Sequence, residues 1–373
     1  MLGLYVHIPF CRHKCLYCDF PSYSGLERYL EGYVPALCRD IAASPYAGQK
    51  ADTIYIGGGT PSILSAKDVG DILLQLRQTF EVTADAEITI EANPESLDGE
   101  KAAAYVSYGI NRLSLGIQSF SDRMLSFLGR IHTAKEGERA LRAAWDAGIH
   151  NLSLDLMYGL PGQTVSDVME DVQRLGDLPV DHASIYSLIV EDGTPLKHGL
   201  SKGLWTLPED EAVEAMGKAV HDQMHGLGFH HYEISSYAKG PFESKHNSKY
   251  WTYEPYIGFG VSAHSFDGTA RWANMANIPR YIQKAGRDSV EGERVLIDDK
   301  RAVEDYCFLA LRRRVGIDKG DYARRFGRPI EADFGSVIDG LAAQGLLEAT
   351  KERVRLSDRG LSYGNYVFGK FIR

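Results

Sequence analysis

The sequence predicts an α/β chain: an incomplete barrel of six βα units, then an extension, then a small C-terminal α+β domain of winged-helix-like order. Three observations lead there. Short β-branched runs alternate with amphipathic stretches through the first two thirds of the chain, each run has the length of one strand, and from about residue 295 the order changes to helices followed by a hairpin. Strict alternation implies parallel strands joined by crossover helices. A doubly wound open sheet is the alternative with the same alternation.

The strands are expected at "LYVHI" (4–8), "TIYIGG" (53–58), "EITIEA" (87–92), "RLSLGIQ" (112–118), "NLSLDLMYG" (151–159) and "ASIYSLIV" (183–190). Helical patterns lie between them at 26–43, 66–80, 134–148 and 164–176. Beyond about residue 200 a helix over 208–228 precedes "HYEISSYA" and the aromatic-rich "KHNSKYWTYEPYIGFGVSAHSF". The last segment reads as helices near 301–314, 318–326 and 335–344, then "LLEAT" and "RVRLS" as a hairpin. The chain thus divides into a core barrel at 1–200, an extension at 201–294 and a C-terminal domain at 295–373.

A chain of 373 residues with 44% hydrophobic content can bury one large core and a smaller second one. Five cysteines over this length do not make a disulfide scaffold, and "MLGLYVHIPF" lacks the basic start of a targeting peptide, so a reducing cytosol is the expected compartment. No apolar run approaches the roughly 18 residues of a membrane span, which leaves peripheral membrane contact open. Net charge is −9, yet residues 301–373 carry 14 Lys and Arg against 10 Asp and Glu. An excess of this size reads as solvated surface rather than a nucleic-acid site.

In either parallel architecture the chemistry gathers at the carboxyl ends of the strands. Those ends carry the glycines of "GGGTPS", Glu91, Gln118 and Asp155. Ahead of them Cys11, Cys15 and Cys18 form C-x3-C-x2-C in the loop after the first strand. A structural zinc site wants a fourth ligand, for which His13 is the neighbour; a disulfide would leave one thiol over. Three thiolates suit a [4Fe-4S] cluster whose fourth iron stays open to a small molecule. Cys38 and Cys307 sit in helical patterns among apolar residues and read as core thiols. Tyr5 and His7 share one face of the first strand by alternation.

CxxxCxxC preceded by "YVHIPF" resembles the radical S-adenosylmethionine (SAM) superfamily, in its branch related to oxygen-independent coproporphyrinogen III oxidase. The likeness extends over "GGGTPS", "EANPES", "NRLSLGIQSF", "DLMYGLPGQT" and "GFGVSAHSF". It implies a partial (β/α)6 radical-SAM barrel in which Cys11, Cys15 and Cys18 hold the cluster. Tyr5, Gly58, Gly59, Thr60, Glu91, Gln118, Arg130 and Asp155 would then surround SAM, the glycines allowing close approach and Arg130 facing a carboxylate. The oxidases continue as CxxxCxxCxC and carry an N-terminal extension, whereas this chain reads Cys18-Asp19-Phe20 and its strand begins at about residue 3. CxxxCxxC followed by Asp-Phe resembles the HemW type of haem chaperone. "HNSKYW" (246–251) matches the HNxxYW signature of that type, which implies haem binding through His246, Asn247, Tyr250 and Trp251, with His246 as an axial ligand and the aromatics as flat apolar surface. The resemblance implies delivery of haem to acceptor haemoproteins, membrane respiratory enzymes among them; coproporphyrinogen oxidation is the competing activity. It leaves the association of two chains open, and for the basic tail it favours a protein contact over nucleic acid.

Overall fold

The structure, a computed structural model, describes residues 1–373. Six parallel strands follow in chain order: β1 (Leu2–Ile8), β2 (Lys50–Gly58), β3 (Glu81–Ala92), β4 (Arg112–Gln118), β5 (Asn151–Tyr158) and β6 (His182–Ser187). They are also neighbours in that order in the sheet. A doubly wound sheet would reverse direction at a switch point, so the sequential order settles the incomplete barrel over that alternative.

The crossover helices are α1 (Leu30–Ala42), α2 (Ala66–Thr79), α3 (Gly99–Ser107), α4 (Asp122–Leu128), α5 (Ala134–Asp146) and α6 (Val165–Gly176). Local chemistry fixes where several begin. Ser65 with Asp68, Thr133 with Glu136 and Thr164 with Asp167 form reciprocal capping boxes at α2, α5 and α6. The short α3 and α4 fall outside the expected helical patterns. Between them the helices bury Leu37, Leu73, Tyr105, Leu141 and Val172 against Leu4, Ile56, Ile90, Leu115 and Leu154 of the strands, in one continuous core.

The extension does not form a separate layer. After α7 (Pro195–Ser201) and α8 (Asp210–Gly226), β7 (His230–Glu233) and β8 (Ser236–Ala238) add to the β6 edge in antiparallel fashion. The HNxxYW segment is itself a helix, α9 (Lys245–Trp251). On the other edge β9 (Tyr256–Phe259) pairs parallel to β1, and β10 (His264–Phe266), β11 (Ala270–Asn274) and β12 (Glu291–Leu296) complete a 12-stranded sheet, with α10 (Ile278–Lys284) between the last two.

The C-terminal domain runs α11 (Asp299–Ala310), β13 (Ile317–Asp318), α12 (Lys319–Phe326), α13 (Ile330–Ala343), then the hairpin β14 (Leu347–Ala349) and β15 (Arg353–Leu356), to which β13 adds a third strand. This is the expected winged-helix-like order. Two short helices, α14 (Asp358–Ser362) and α15 (Gly364–Gly369), follow it. Its core of Val303, Tyr306, Tyr322, Phe334 and Phe371 is joined by Tyr253 and Phe266 from the extension, so the domain packs directly beside β10. No helix is long and apolar enough to cross a membrane.

Candidate functional site

The cysteine loop leaves the carboxyl end of β1 and is stitched to the end of β2. Gly59 N-H donates to the Ile8 carbonyl (2.8 Å) and Thr60 N-H to the Phe10 carbonyl (2.8 Å). A side chain at Gly59 would place its Cβ 2.6 Å from the Phe10 carbonyl oxygen and 2.9 Å from Cys11 Sγ. Glycine is therefore required there by the cysteine loop itself. Gly58, at φ +116°, adopts a conformation that only glycine takes without strain, and turns its amide toward Glu91.

Cys11 is buried, Cys15 and Cys18 are half-buried, and all three are free thiols. Lys14 ties the loop back on itself through the Phe20 and Ser22 carbonyls (2.9 and 3.0 Å). Arg130 reaches the loop from the end of α4, with Nη1 3.6 Å from Cys15 Sγ, and donates through Nη2 to Asn93 Oδ1 (2.8 Å) and the Gly116 carbonyl (2.5 Å). Asn93 in turn donates to Thr60 Oγ1 (3.2 Å). One polar chain thus joins the cysteine loop, β2, β3 and β4. Burial pushes the Cys11 and Cys18 thiols up, and the two cations beside the loop would offset thiolate charge. No group of three His, Cys, Asp or Glu side chains converges on a single ion. The donor set fits a [4Fe-4S] cluster with one iron lacking a protein thiolate.

The other predicted SAM residues line the adjacent rim. Tyr55 Oη donates to Glu91 Oε1 (2.7 Å) and Gly58 N-H to Glu91 Oε2 (3.0 Å). Tyr186 Oη donates to Gln118 Oε1 (3.0 Å), and Gln118 holds φ +75°, a left-handed conformation uncommon for a side-chain-bearing residue. Burial raises Glu91 to about 7 and Asp155 to about 6; at Glu91 the Tyr55 hydrogen bond holds the value down while the Asp155 charge adds to the rise. The rim therefore presents two carboxyl groups that gain by meeting a cationic ligand.

Beneath them lies a residue that the sequence reading passed over. Arg112, at the start of β4, is 1% exposed, and its Nε and Nη1 have no hydrogen-bond partner. Its charge lowers both Glu91 and Asp155. The signal was an arginine opening a strand of seven buried positions, where an apolar residue is the norm.

The third group meets the first two at a cavity of about 460 Å³. Tyr5, His7, Gly58 and Glu91 come to it from the barrel, Phe20 from the cysteine loop, Tyr250 and Trp251 from α9, and His264, Phe266 and Arg271 from β10 and β11. Phe20 is 61% exposed although aromatic, because it faces this cavity. Not every HNxxYW residue reaches it. His246 is fully buried behind the sheet: Nδ1 is 2.8 Å from Thr53 Oγ1, Nε2 is 2.9 Å from Tyr250 Oη, and the ring stacks on Tyr55 at 5.2 Å. Burial lowers it to about 3, so it is neutral, with both nitrogens engaged. The axial role expected of His246 finds no free nitrogen in this arrangement; the residue instead fixes Tyr250. Asn247 is half-buried and does not line the cavity.

Comparison with known proteins agrees with this architecture. The Radical SAM superfamily model matches residues 5–175 and the HemN C-terminal domain model residues 297–363. The haem chaperone HemW of Bacillus subtilis is 36% identical over 100% of this chain and 99% of its own length, and that of Lactococcus lactis is 34% identical over 99% and 96%. The mitochondrial radical S-adenosyl methionine domain-containing protein 1 of Bos taurus is 36% identical over 84% of this chain and 74% of its own. Coproporphyrinogen III oxidase (HemN) from Escherichia coli, a radical SAM enzyme, superposes with a TM-score of 0.85 over 100% of this chain and 90% of that one, at 21% identity, a likeness of fold. With its cysteine loop ending in Asp19-Phe20 and its identity to such relatives held from end to end, the chain belongs to the HemW family of the radical SAM superfamily.

Proposed function

We propose that this protein is a haem chaperone: it binds haem in the aromatic cavity beside a SAM-liganded [4Fe-4S] cluster and passes it to acceptor haemoproteins. The observation that carries the reading is the cavity itself. Phe20, standing where the oxidases of the fold carry a further cysteine, closes the same space as Tyr250 and Trp251 of the HNxxYW helix. Flat aromatic walls of this size receive a macrocycle by apolar contact.

Cys11, Cys15 and Cys18 would hold the cluster, which would bind SAM and supply radical chemistry. The chain's own part is positioning. Gly58 and Gly59 admit the methionyl group, Arg130 and Thr60 border the cysteine loop, Glu91 and Asp155 face positive charge, and Tyr5 stands where the SAM rim meets the cavity. Tyr250 and Trp251 face the cargo, and His246 holds Tyr250 from behind. We place the protein in the cytoplasm, with its acceptors among membrane respiratory enzymes reached peripherally.

The test is transfer. Hemin-loaded, anaerobically reconstituted protein is mixed with a haem-free acceptor, and the acceptor's own Soret band is followed; its appearance supports the reading and its absence rejects it. In parallel, incubation with SAM, reductant and coproporphyrinogen III should give no protoporphyrinogen. Product there would replace the chaperone by an oxidase.

A further inference from the structure

Three histidines stand at or next to the cavity, and their ring nitrogens distinguish them. His246 spends both on Thr53 and Tyr250. His7 spends both as well, Nδ1 on Tyr5 Oη (2.8 Å) and Nε2 on the Pro21 carbonyl (2.9 Å). His264 alone lines the cavity with no side-chain hydrogen bond to the protein, on a residue that stays open to solvent.

The strand register aims it. β10 and β11 pair antiparallel with His264 opposite Ala273 and Phe266 opposite Arg271. Side chains two apart on a strand share a face, as do directly opposed residues. His264, Phe266 and Arg271 therefore project to one side, the cavity side, and the small Ala273 leaves room beside the imidazole. The backbone behind them is braced: Ser265 Oγ accepts from Gly258 N-H (2.9 Å), and Asn274 Nδ2 donates to the Gly260 carbonyl (3.0 Å). Arg271 is steadied by Asp305 (Nε to Oδ2, 3.2 Å) and lies over the Phe266 ring at 4.7 Å, with a side chain 30% exposed.

We propose that His264 is the axial ligand of haem iron and that Arg271 meets one haem propionate. A neutral imidazole without a competing partner is the form that binds iron, and a guanidinium at the mouth of an aromatic pocket is the complement of a carboxylate. Partial burial at the cavity wall and the nearby Arg271 lower His264, which favours its neutral form. The inference rests on the haem-binding reading above and goes beyond it by naming the ligand, which the HNxxYW signature places elsewhere.

The experiment is a hemin titration of reconstituted wild type, His264→Ala and His264→Met, followed by Soret absorption and by resonance Raman of the reduced complex. Wild type should show an iron-imidazole band; His264→Ala should lose it and bind hemin about tenfold more weakly, with added imidazole restoring the spectrum. His264→Met should fold as wild type does and shift the ligand signature, which decides the matter should the alanine variant prove unstable. A wild type without any saturable Soret change would overturn the haem reading and this inference together. A normal shift with the imidazole band retained in the variants would overturn the inference alone. Hemin dimethyl ester is the probe for Arg271: it should bind wild type and Arg271→Gln equally, while hemin prefers wild type. Equal hemin binding by the two proteins would remove Arg271 from the proposal.

Discussion

Replacing Glu91 by Gln should abolish a pH-dependent component of stability whose size follows from the site. Burial moves this carboxyl from its ordinary 4.5 to about 7. A raised native value means that the folded chain holds the proton more tightly than the unfolded one. The associated stability is present in full below the unfolded value and is lost as pH rises through about 7. At about 1.4 kcal/mol per unit of displacement, the loss amounts to about 3 kcal/mol, most of it between about pH 5 and about pH 8. Gln keeps the shape and can accept the Tyr55 or Gly58 hydrogen bond without titrating. Unfolding of iron-free wild type and Glu91→Gln by urea, across that range, reads the difference directly. Wild type should lose about 3 kcal/mol relative to the variant as pH rises. A difference that stays constant with pH would refute the burial of Glu91 and the electrostatics derived from it. The same titration bears on SAM: a cationic ligand prefers ionised Glu91, so affinity should rise by about tenfold from about pH 6 to about pH 8 in wild type and by only about twofold in the variant, where Asp155 alone still titrates.

Arg112→Met removes the cation that lowers Glu91 and Asp155, so the pH-dependent step should move upward, as the same urea series would show. Gly59→Ala forces Cβ into the Phe10 carbonyl and Cys11 Sγ; iron and acid-labile sulfide per chain after reconstitution should fall by about half or more, and unchanged content would mean that the loop tolerates the shift. Thr53→Val strands His246 Nδ1 in the core and should cost about 1–3 kcal/mol in urea unfolding while leaving the Soret position of bound hemin unchanged. A moved Soret band would return His246 to the iron.

Much of the barrel was legible because each strand is a run of β-branched and aliphatic residues, and Ser65, Asp98, Thr133 and Thr164 cap α2, α3, α5 and α6. Strand order was not, since alternation alone serves a barrel and a doubly wound sheet equally, and only the pairing of β1 with β2 and β9 decides. The short α3 and α4 escaped notice because seven to nine residues carry too little periodicity to stand out. The cysteines and the carboxyl-end residues announced themselves by spacing and position. The cavity did not. It is made where β1 and the cysteine loop meet α9 and β10, two stretches more than 200 residues apart in the chain, so Phe20 showed in the sequence only as a missing cysteine and His264 as one residue of a longer motif. His246 failed as a cavity residue for a related reason: a histidine four residues before a tyrosine on a helix reads the same whether it faces a ligand or, as here, the back of a sheet.

The account stands on haem seated in one aromatic cavity against the cysteine loop, and a single titration addresses it. Oxygen-free, reconstituted wild type and the double variant Phe20→Ala, Trp251→Ala are titrated with hemin in the Soret region. Saturation at one haem per wild-type chain, with affinity weakened by about tenfold or more in the double variant, is the expected result. Identical curves for the two proteins, or no saturable change in either, would contradict it.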